Sequence, residues 1–298
     1  MENTMKFLAF DSTVKLTCVN TTDLVKKARK IHGLSKTATA AFGRLLTMGA
    51  MMGADLKEDN DNITLQVKGD GPIGTMICVC KKGAKVKGYL QNPSAESKPK
   101  DNGKLDVSGI VGTQGNIYII KDIGLKEPYV GVSNIISGEI AEDFTNYFAT
   151  SEQIPTVIAL GVSFDEKNQI KSSGGFFLQL MPDAKKEVID ILEENFKNIP
   201  NISQLIYENE DLYDIAKIIT KDEDILSMVG TIDNDYLCDC NKERIKSGII
   251  SLGKDELKQI VDDNEDIQTK CQFCNKEYTF TKQEIKEIYD NMWLKLYI

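Results

Sequence analysis

The chain has 298 residues, enough for a large core and more than one domain. Its 41% hydrophobic and 27% charged content is that of an ordinary globular protein. The formal net charge of −9 argues against general affinity for nucleic acid or anionic membrane, since both are polyanions. No apolar run approaches the ~20 residues of a membrane span. Met1 to Phe10 carries Glu2 and lacks the basic start of a signal peptide. The expected location is therefore cytoplasmic, where thiols stay reduced and close cysteine pairs point to metal or redox chemistry.

The chain opens with period-two alternation, Met5, Phe7, Ala9, then Val14, Leu16, Cys18, as in paired strands with a turn at Asp11-Ser12-Thr13. Thr21 or Thr22 caps a helix with Leu24, Ala28 and Ile31 on one face, ended by Gly33. Ser35 starts a longer helix to about Ala54, rich in small residues and apolar on most sides. It reads as a buried core helix, with a Met-rich binding surface as the alternative.

Strands are expected at Ile63–Val67, Thr75–Cys80, Val86–Leu90, Ile110–Gly112, Ile117–Lys121, Thr156–Phe164 and Gly174–Leu180. A helix is expected over Ile140–Ser151. The glycines of Gly69-Asp70-Gly71-Pro72-Ile73-Gly74 make a turn. They lack the helix start and Lys-Ser/Thr of a phosphate loop. Cys78 and Cys80 share one face of an apolar strand and read as small core hydrophobes, the alternative being a second metal or redox pair. The single histidine, His32, sits at a helix C-terminus, and no nucleophile–base set accompanies it. The chain is therefore not expected to be an enzyme. The pattern predicts an α+β fold with an N-terminal antiparallel-sheet domain over residues 1–182.

Residues 183–234 read as a helical linker. Helices are expected over Asp183–Lys197, with Val188, Ile191, Leu192 and Phe196 on one side, over Ser203–Ile219, and over Asp222–Met228. Residues 183–230 hold twelve Asp/Glu against five Lys/Arg, a local net of −7. Self-repulsion and an apolar stripe in search of a partner make this a metastable connector, folded only while docked.

Residues 235–298 read as a small zinc-binding α+β module. Cys238-Asp239-Cys240 is followed, thirty residues later, by Cys271-Gln272-Phe273-Cys274. Four thiolates can close a tetrahedral Zn²⁺ site. The C-x-C pair needs a bend for both sulfurs to reach one ion, and Asn234, Asp235 and Asn241 tolerate bends. The C-x-x-C pair lies in a hairpin-like string, Ile267 to Phe280. Short helices are expected over Lys242–Ser251 and Lys254–Asp263, and Thr281-Lys282-Gln283-Glu284 is a capping box for a last helix with Ile285, Ile288 and Met292 inward. Four unrelated buried cysteines are the alternative, though neither pair sits in a strongly apolar run. Structural Zn²⁺ contributes roughly 10–16 kcal/mol in apparent terms, against ~5–15 for a whole domain. The ion would decide whether so small a module folds.

Taken together, the chain resembles the redox-regulated 33-kDa heat-shock chaperone family. The spacing of the two cysteine pairs matches. So do Gly69–Gly74, Gly124-Leu125-Lys126-Glu127-Pro128-Tyr129-Val130-Gly131, Ser137-Gly138-Glu139-Ile140-Ala141-Glu142-Asp143, Ser151-Glu152-Gln153-Ile154-Pro155 and Gly174-Gly175-Phe176. The resemblance implies an ATP-independent holdase for unfolding client proteins, inactive when reduced and holding one Zn²⁺ at Cys238, Cys240, Cys271 and Cys274. It implies that oxidation by hypochlorous acid, or by peroxide with heat, forms Cys238–Cys240 and Cys271–Cys274 disulfides. Zinc is then released, module and linker unfold, and the active form is a homodimer. Cys78 and Cys80 are no part of that switch.

Two rivals weaken on inspection. A zinc-ribbon nucleic-acid binder would need a basic module, yet residues 235–298 hold ten Lys/Arg against thirteen Asp/Glu, a net of −3. A thiol–disulfide oxidoreductase would need a helix N-terminus behind Cys271, and the hairpin pattern offers none.

Overall fold

The computed structural model describes residues 3–209, 211–221 and 226–294, with side chains through residue 291. It divides into two units, Met1–Leu237 and Cys238–Ile298, both of mixed α and β structure.

The first unit runs β1 (Thr4–Ala9), β2 (Val14–Asn20), α1 (Thr22–His32), α2 (Lys36–Gly53), β3 (Asn62–Gly69), β4 (Thr75–Lys81), β5 (Lys85–Leu90), α3 (Val107–Val111), β6 (Gly115–Asp122), β7 (Tyr129–Asn134) and α4 (Ala141–Tyr147). A π-helical turn (Phe148–Glu152) leads to β8 (Thr156–Phe164), β9 (Ile170–Leu180), α5 (Lys186–Phe196), α6 (Ile202–Glu208), α7 (Leu212–Thr220), β10 (Leu226–Ile232) and β11 (Asp235–Tyr236). One sheet has the order β10-β1-β2-β9-β8 and is antiparallel throughout. The other has the order β11-β5-β4-β3-β6-β7, antiparallel except where β11 lies beside β5.

Helix α2 is the axis of this unit, buried almost end to end against strands of both sheets. Its small residues permit that approach. A Cβ on Gly49 would lie 2.4 Å from the Cys78 sulfur, and one on Gly53 would lie 2.7 Å from the Lys81 carbonyl oxygen. Met48, Met51 and Met52 are buried with it, so the helix is core and not a binding surface. Cys78 and Cys80 face it from β4, both fully buried. Burial lifts the Cys80 thiol to about 12 despite backbone hydrogen bonds that act the other way, and burial likewise raises Cys78. Both are inert core side chains.

Three expected elements come out differently. Ile110–Gly112 is not a strand: Asp106 accepts from the Gly109 N–H (3.1 Å) and caps the short helix α3. The expected single helix Ser203–Ile219 is two, α6 and α7, the second capped by Asp211 accepting from the Tyr213 N–H (2.8 Å). The helix expected over Asp222–Met228 has Asp222, Glu223 and Asp224 outside the described residues, and its end, Leu226–Met228, is strand β10 paired with β1. Between Ser137 and Ser151, α4 begins only after Ile140, which is held at φ 64°. The buried Asp143 carboxylate accepts from the N–H groups of Ile136, Ser137, Gly138 and Ile140 at 2.8–3.3 Å and fixes that turn.

The described residues of 183–234 pack within the first unit. Leu192 of α5, Leu205 and Ile206 of α6, and Ile215 and Ile219 of α7 bury against Phe7, Leu16, Cys18, Phe176 and Leu178 on one face of the first sheet. Val188 and Phe196 join them, but Ile191, expected on the same stripe, is 45% exposed. Asn195 is buried and donates to the Ile218 carbonyl (2.9 Å), tying α5 to the end of α7. Beyond β10, Tyr236 enters the main core. Its hydroxyl donates to the Gly88 carbonyl (2.9 Å) and lies 2.9 Å from His32 Nε2.

The second unit consists of α8 (Lys242–Ile250), α9 (Lys254–Asp263), the antiparallel hairpin β12 (Ile267–Lys270) and β13 (Glu277–Phe280), and α10 (Lys282–Leu294). The capping box is formed: Glu284 accepts from the Thr281 N–H (2.9 Å), and Thr281 Oγ1 accepts from the Glu284 N–H (3.2 Å). Ile285 and Ile288 face inward with Ile249, Leu257, Tyr278 and Phe280, whereas the Met292 side chain lies outside those described. Among the described residues, seven are buried in this core, Cys271 one of them.

Candidate metal centre

Cys238 and Cys240 lie in an irregular stretch just before α8. Asp239 between them is anchored outward by Arg244 (2.6 Å), and Asn241 accepts from the Arg244 N–H (2.8 Å) to cap α8. The chain therefore bends at the C-x-C, as two sulfurs approaching one point require.

Cys271 and Cys274 sit at the tip of the β12–β13 hairpin. The Cys271 N–H donates to the Lys276 carbonyl (2.9 Å). The Cys271 carbonyl accepts from the N–H groups of Cys274 (3.3 Å) and Asn275 (2.8 Å). Asn275 closes the turn at φ 61°, a left-handed conformation that Asn tolerates. No helix begins behind Cys271, so the dipole that would activate an oxidoreductase thiol is lacking there.

All four sulfurs lie within 4.8 Å of one another. Cys238 and Cys271 are 3.8 Å apart and Cys240 and Cys274 3.3 Å. Zn–S bonds of ~2.3 Å in a tetrahedron place sulfurs ~3.8 Å apart, so the donor set fits such an ion in number, kind and spacing.

Electrostatics point the same way. Burial raises Cys240, but hydrogen bonds from the Tyr278 hydroxyl (3.0 Å) and the neighbouring sulfurs outweigh it and bring the thiol down to about 7. Burial pushes Cys238 and Cys274 upward. One negative charge settles readily in the cluster, and further ones are opposed. A bound dication reverses that balance, because a coordinated thiol is deprotonated outright. Tyr278 was not singled out in the sequence; the only signal was its place four residues after Cys274.

Comparison with known proteins agrees with this arrangement. Residues 2–281 match the family described as "Hsp33 protein". The chain is 44% identical over 277 residues to the 33 kDa chaperonin of Acetivibrio thermocellus, covering 93% of each. It is 43% identical over 279 residues to that of Clostridioides difficile, covering 94% of this chain and 95% of the relative. The crystal structure of the 33 kDa chaperonin of Thermotoga maritima superposes with a TM-score of 0.87 at 34% identity, covering 98% of this chain and 99% of that one. With the four-cysteine cluster, the two-unit fold and these relatives in agreement, the chain belongs to the Hsp33 family, whose members are chaperones and not enzymes.

Proposed function

We propose that this protein is a redox-regulated, ATP-independent holdase of the cytoplasm, switched by the cysteine cluster. The observation that carries the reading is the convergence of four sulfurs from two chain segments thirty residues apart, in a module whose described residues bury only a small core. Cys238, Cys240, Cys271 and Cys274 would hold one Zn²⁺. When bound, the ion keeps the thiolates deprotonated and ties the two segments together.

The chain's own residues do the rest. Oxidation pairs Cys238 with Cys240 and Cys271 with Cys274. For each disulfide, two thiolates give two electrons to hypochlorous acid, which takes up a proton and leaves as chloride and water. In the reduced cluster Cys238 lies 3.8 Å from Cys271 and Cys240 lies 3.3 Å from Cys274, across the pairs. Pairing within them therefore removes every sulfur link between the two segments, and the small core must hold the module alone.

Residues 183–234 are the second half of the switch. Their helices bury large aliphatic side chains on the first sheet, each contributing about 1.5–3 kcal/mol, against the self-repulsion of residues 183–230, whose net charge is −7. Unfolding of the module frees the connector. Its release bares the apolar face of β1, β2 and β9 and the β1 edge that β10 now covers. Such a surface suits unfolded client segments. Two copies exposing it would pair as the active homodimer.

The test measures zinc content and suppression of light scattering by an aggregating client, with and without hypochlorous acid. One zinc per reduced chain, lost as holdase activity appears, supports the reading. Equal activity in the reduced, zinc-loaded protein contradicts it.

A further inference from the structure

In a chain of net charge −9, two cavities are lined by an excess of cations, and one of them reaches the connector. It has a volume of about 540 Å³ and lies among α2, the loop before α3, the turn before α4, the end of β8 and the start of α6. Lys36, Arg44, Lys100 and Lys104 line it against only two carboxylates, Glu139 and Glu142. Glu139 is already shared, with Arg44 at 2.7 Å and Lys100 at 2.6 Å.

The remaining cations are poorly satisfied. Lys104 has no ion pair among the described residues, and the Lys36 ammonium rests 5.4 Å from the centre of the Phe164 ring. Arg44 Nε is buried with no acceptor. Backbone bonds from Lys100 N–H to the Lys104 carbonyl (2.8 Å) and from Gly103 N–H to the Lys100 carbonyl (2.8 Å) close a turn that carries both lysines to the cavity. On the opposite wall, Asn201 spends its side-chain oxygen on the cap of α6, which leaves its amide N–H groups uncommitted.

We propose that this cavity binds a small phosphate-bearing dianion or polyanion of the pyrophosphate class. Asp106, 3.7 Å from the Lys100 ammonium, takes up part of the charge, but the Lys36 and Lys104 ammonium groups match the anion in sign, and the guanidinium and amide donors suit phosphoryl oxygens. Because Asn201 and Ser203 of the connector complete the wall, the occupied cavity exists only while α6 is docked. The anion then stabilises the docked connector by mass action. This second step rests on the connector reading above; the binding step does not.

The experiment titrates inorganic pyrophosphate into the reduced, zinc-loaded protein by calorimetry in 0.15 M chloride. Expected is saturable binding of one equivalent. Lys36→Gln/Lys104→Gln should weaken it at least tenfold, and Lys26→Gln/Lys30→Gln on α1 should leave it unchanged. Lys104→Gln alone, with no ion pair to lose, keeps the test readable if the double variant misfolds. At one hundred times Kd, hydrogen exchange of α6 amides should slow about 100-fold. Absence of saturable binding, or equal binding by the Lys36/Lys104 variants, overturns the site. Binding without slower α6 exchange overturns its link to the connector and leaves the chaperone reading to its own test.

Discussion

The molecule carries the same motif twice, with opposite outcomes. Cys78-Val79-Cys80 lies in a central strand, packed under Gly49, with both thiols fully buried and pushed above their ordinary range. Cys238-Asp239-Cys240 lies in an irregular bend, partly exposed, facing a second pair on a hairpin tip. The spacing is identical. The difference lies in backbone and partners: an extended strand holds its sulfurs apart and away from any other donor, whereas a bend lets them converge. Chemistry follows from the environment that the flanking residues dictate, Met76-Ile77 in one case and Asp235, Asp239 and Asn241 in the other.

The sharpest way to break this comparison is substitution. Cys271→Ser should cut zinc from one equivalent to well below a tenth at sub-micromolar free zinc and unfold the module, because structural zinc contributes roughly 10–16 kcal/mol. Cys78→Ser/Cys80→Ser should keep one zinc per chain. Zinc lost from that variant would make the two motifs alike.

Alkylation should separate them nearly as widely. In chelator-treated protein the module thiols should react within minutes, while Cys78 and Cys80 should remain unmodified. Burial raises the core pair, so both stay neutral from pH 7 to pH 9 and a rise in pH across that window should not activate them. Peptide mass spectrometry reads the sites, and prompt labelling of Cys78 would contradict the core assignment.

A smaller effect is expected from Tyr278→Phe, which removes the donor to Cys240. Loss of such a supporting hydrogen bond should weaken zinc binding about 10–100-fold. A chelator competition assay measures it, and an unchanged affinity would show that the hydroxyl is incidental. The smallest effect is expected from Gly49→Ala. Its new methyl meets the Cys78 sulfur and should destabilise the first unit by about 1–3 kcal/mol with zinc content unchanged. Urea denaturation follows the first quantity and metal analysis the second.

Much of this contrast was legible in the sequence. Period-two alternation located β1 to β3, apolar runs bounded by turns located β4 to β6, β8 and β9, and the hairpin, capping box and helices of the module were plain from turn and cap residues. The cluster was legible because its ligands come in two tight pairs. Elements whose pairing is decided elsewhere were harder to see. β7 exposes Tyr129, Val130 and Val132 at a sheet edge, so it lacks the buried alternation of a central strand. β10 follows a run of acids with the look of a helix, and only the free edge of β1 makes it a strand. Tyr236 sits two residues before the first cysteine of the cluster, yet packs into the core of the first unit, a contact across nearly 150 residues to Gly88.

The central claim is that loss of the cysteine cluster frees a connector in which no covalent bond has changed. Hydrogen exchange on the reduced, zinc-loaded protein and on the hypochlorous-acid-treated protein tests it most directly. The predicted result is strong protection of the α6 and α7 amides in the reduced form and its loss on oxidation, together with that of the module, while α2 and β2 stay protected. Equal protection of residues 183–234 in both forms, in a sample that has become an active holdase, would contradict the account.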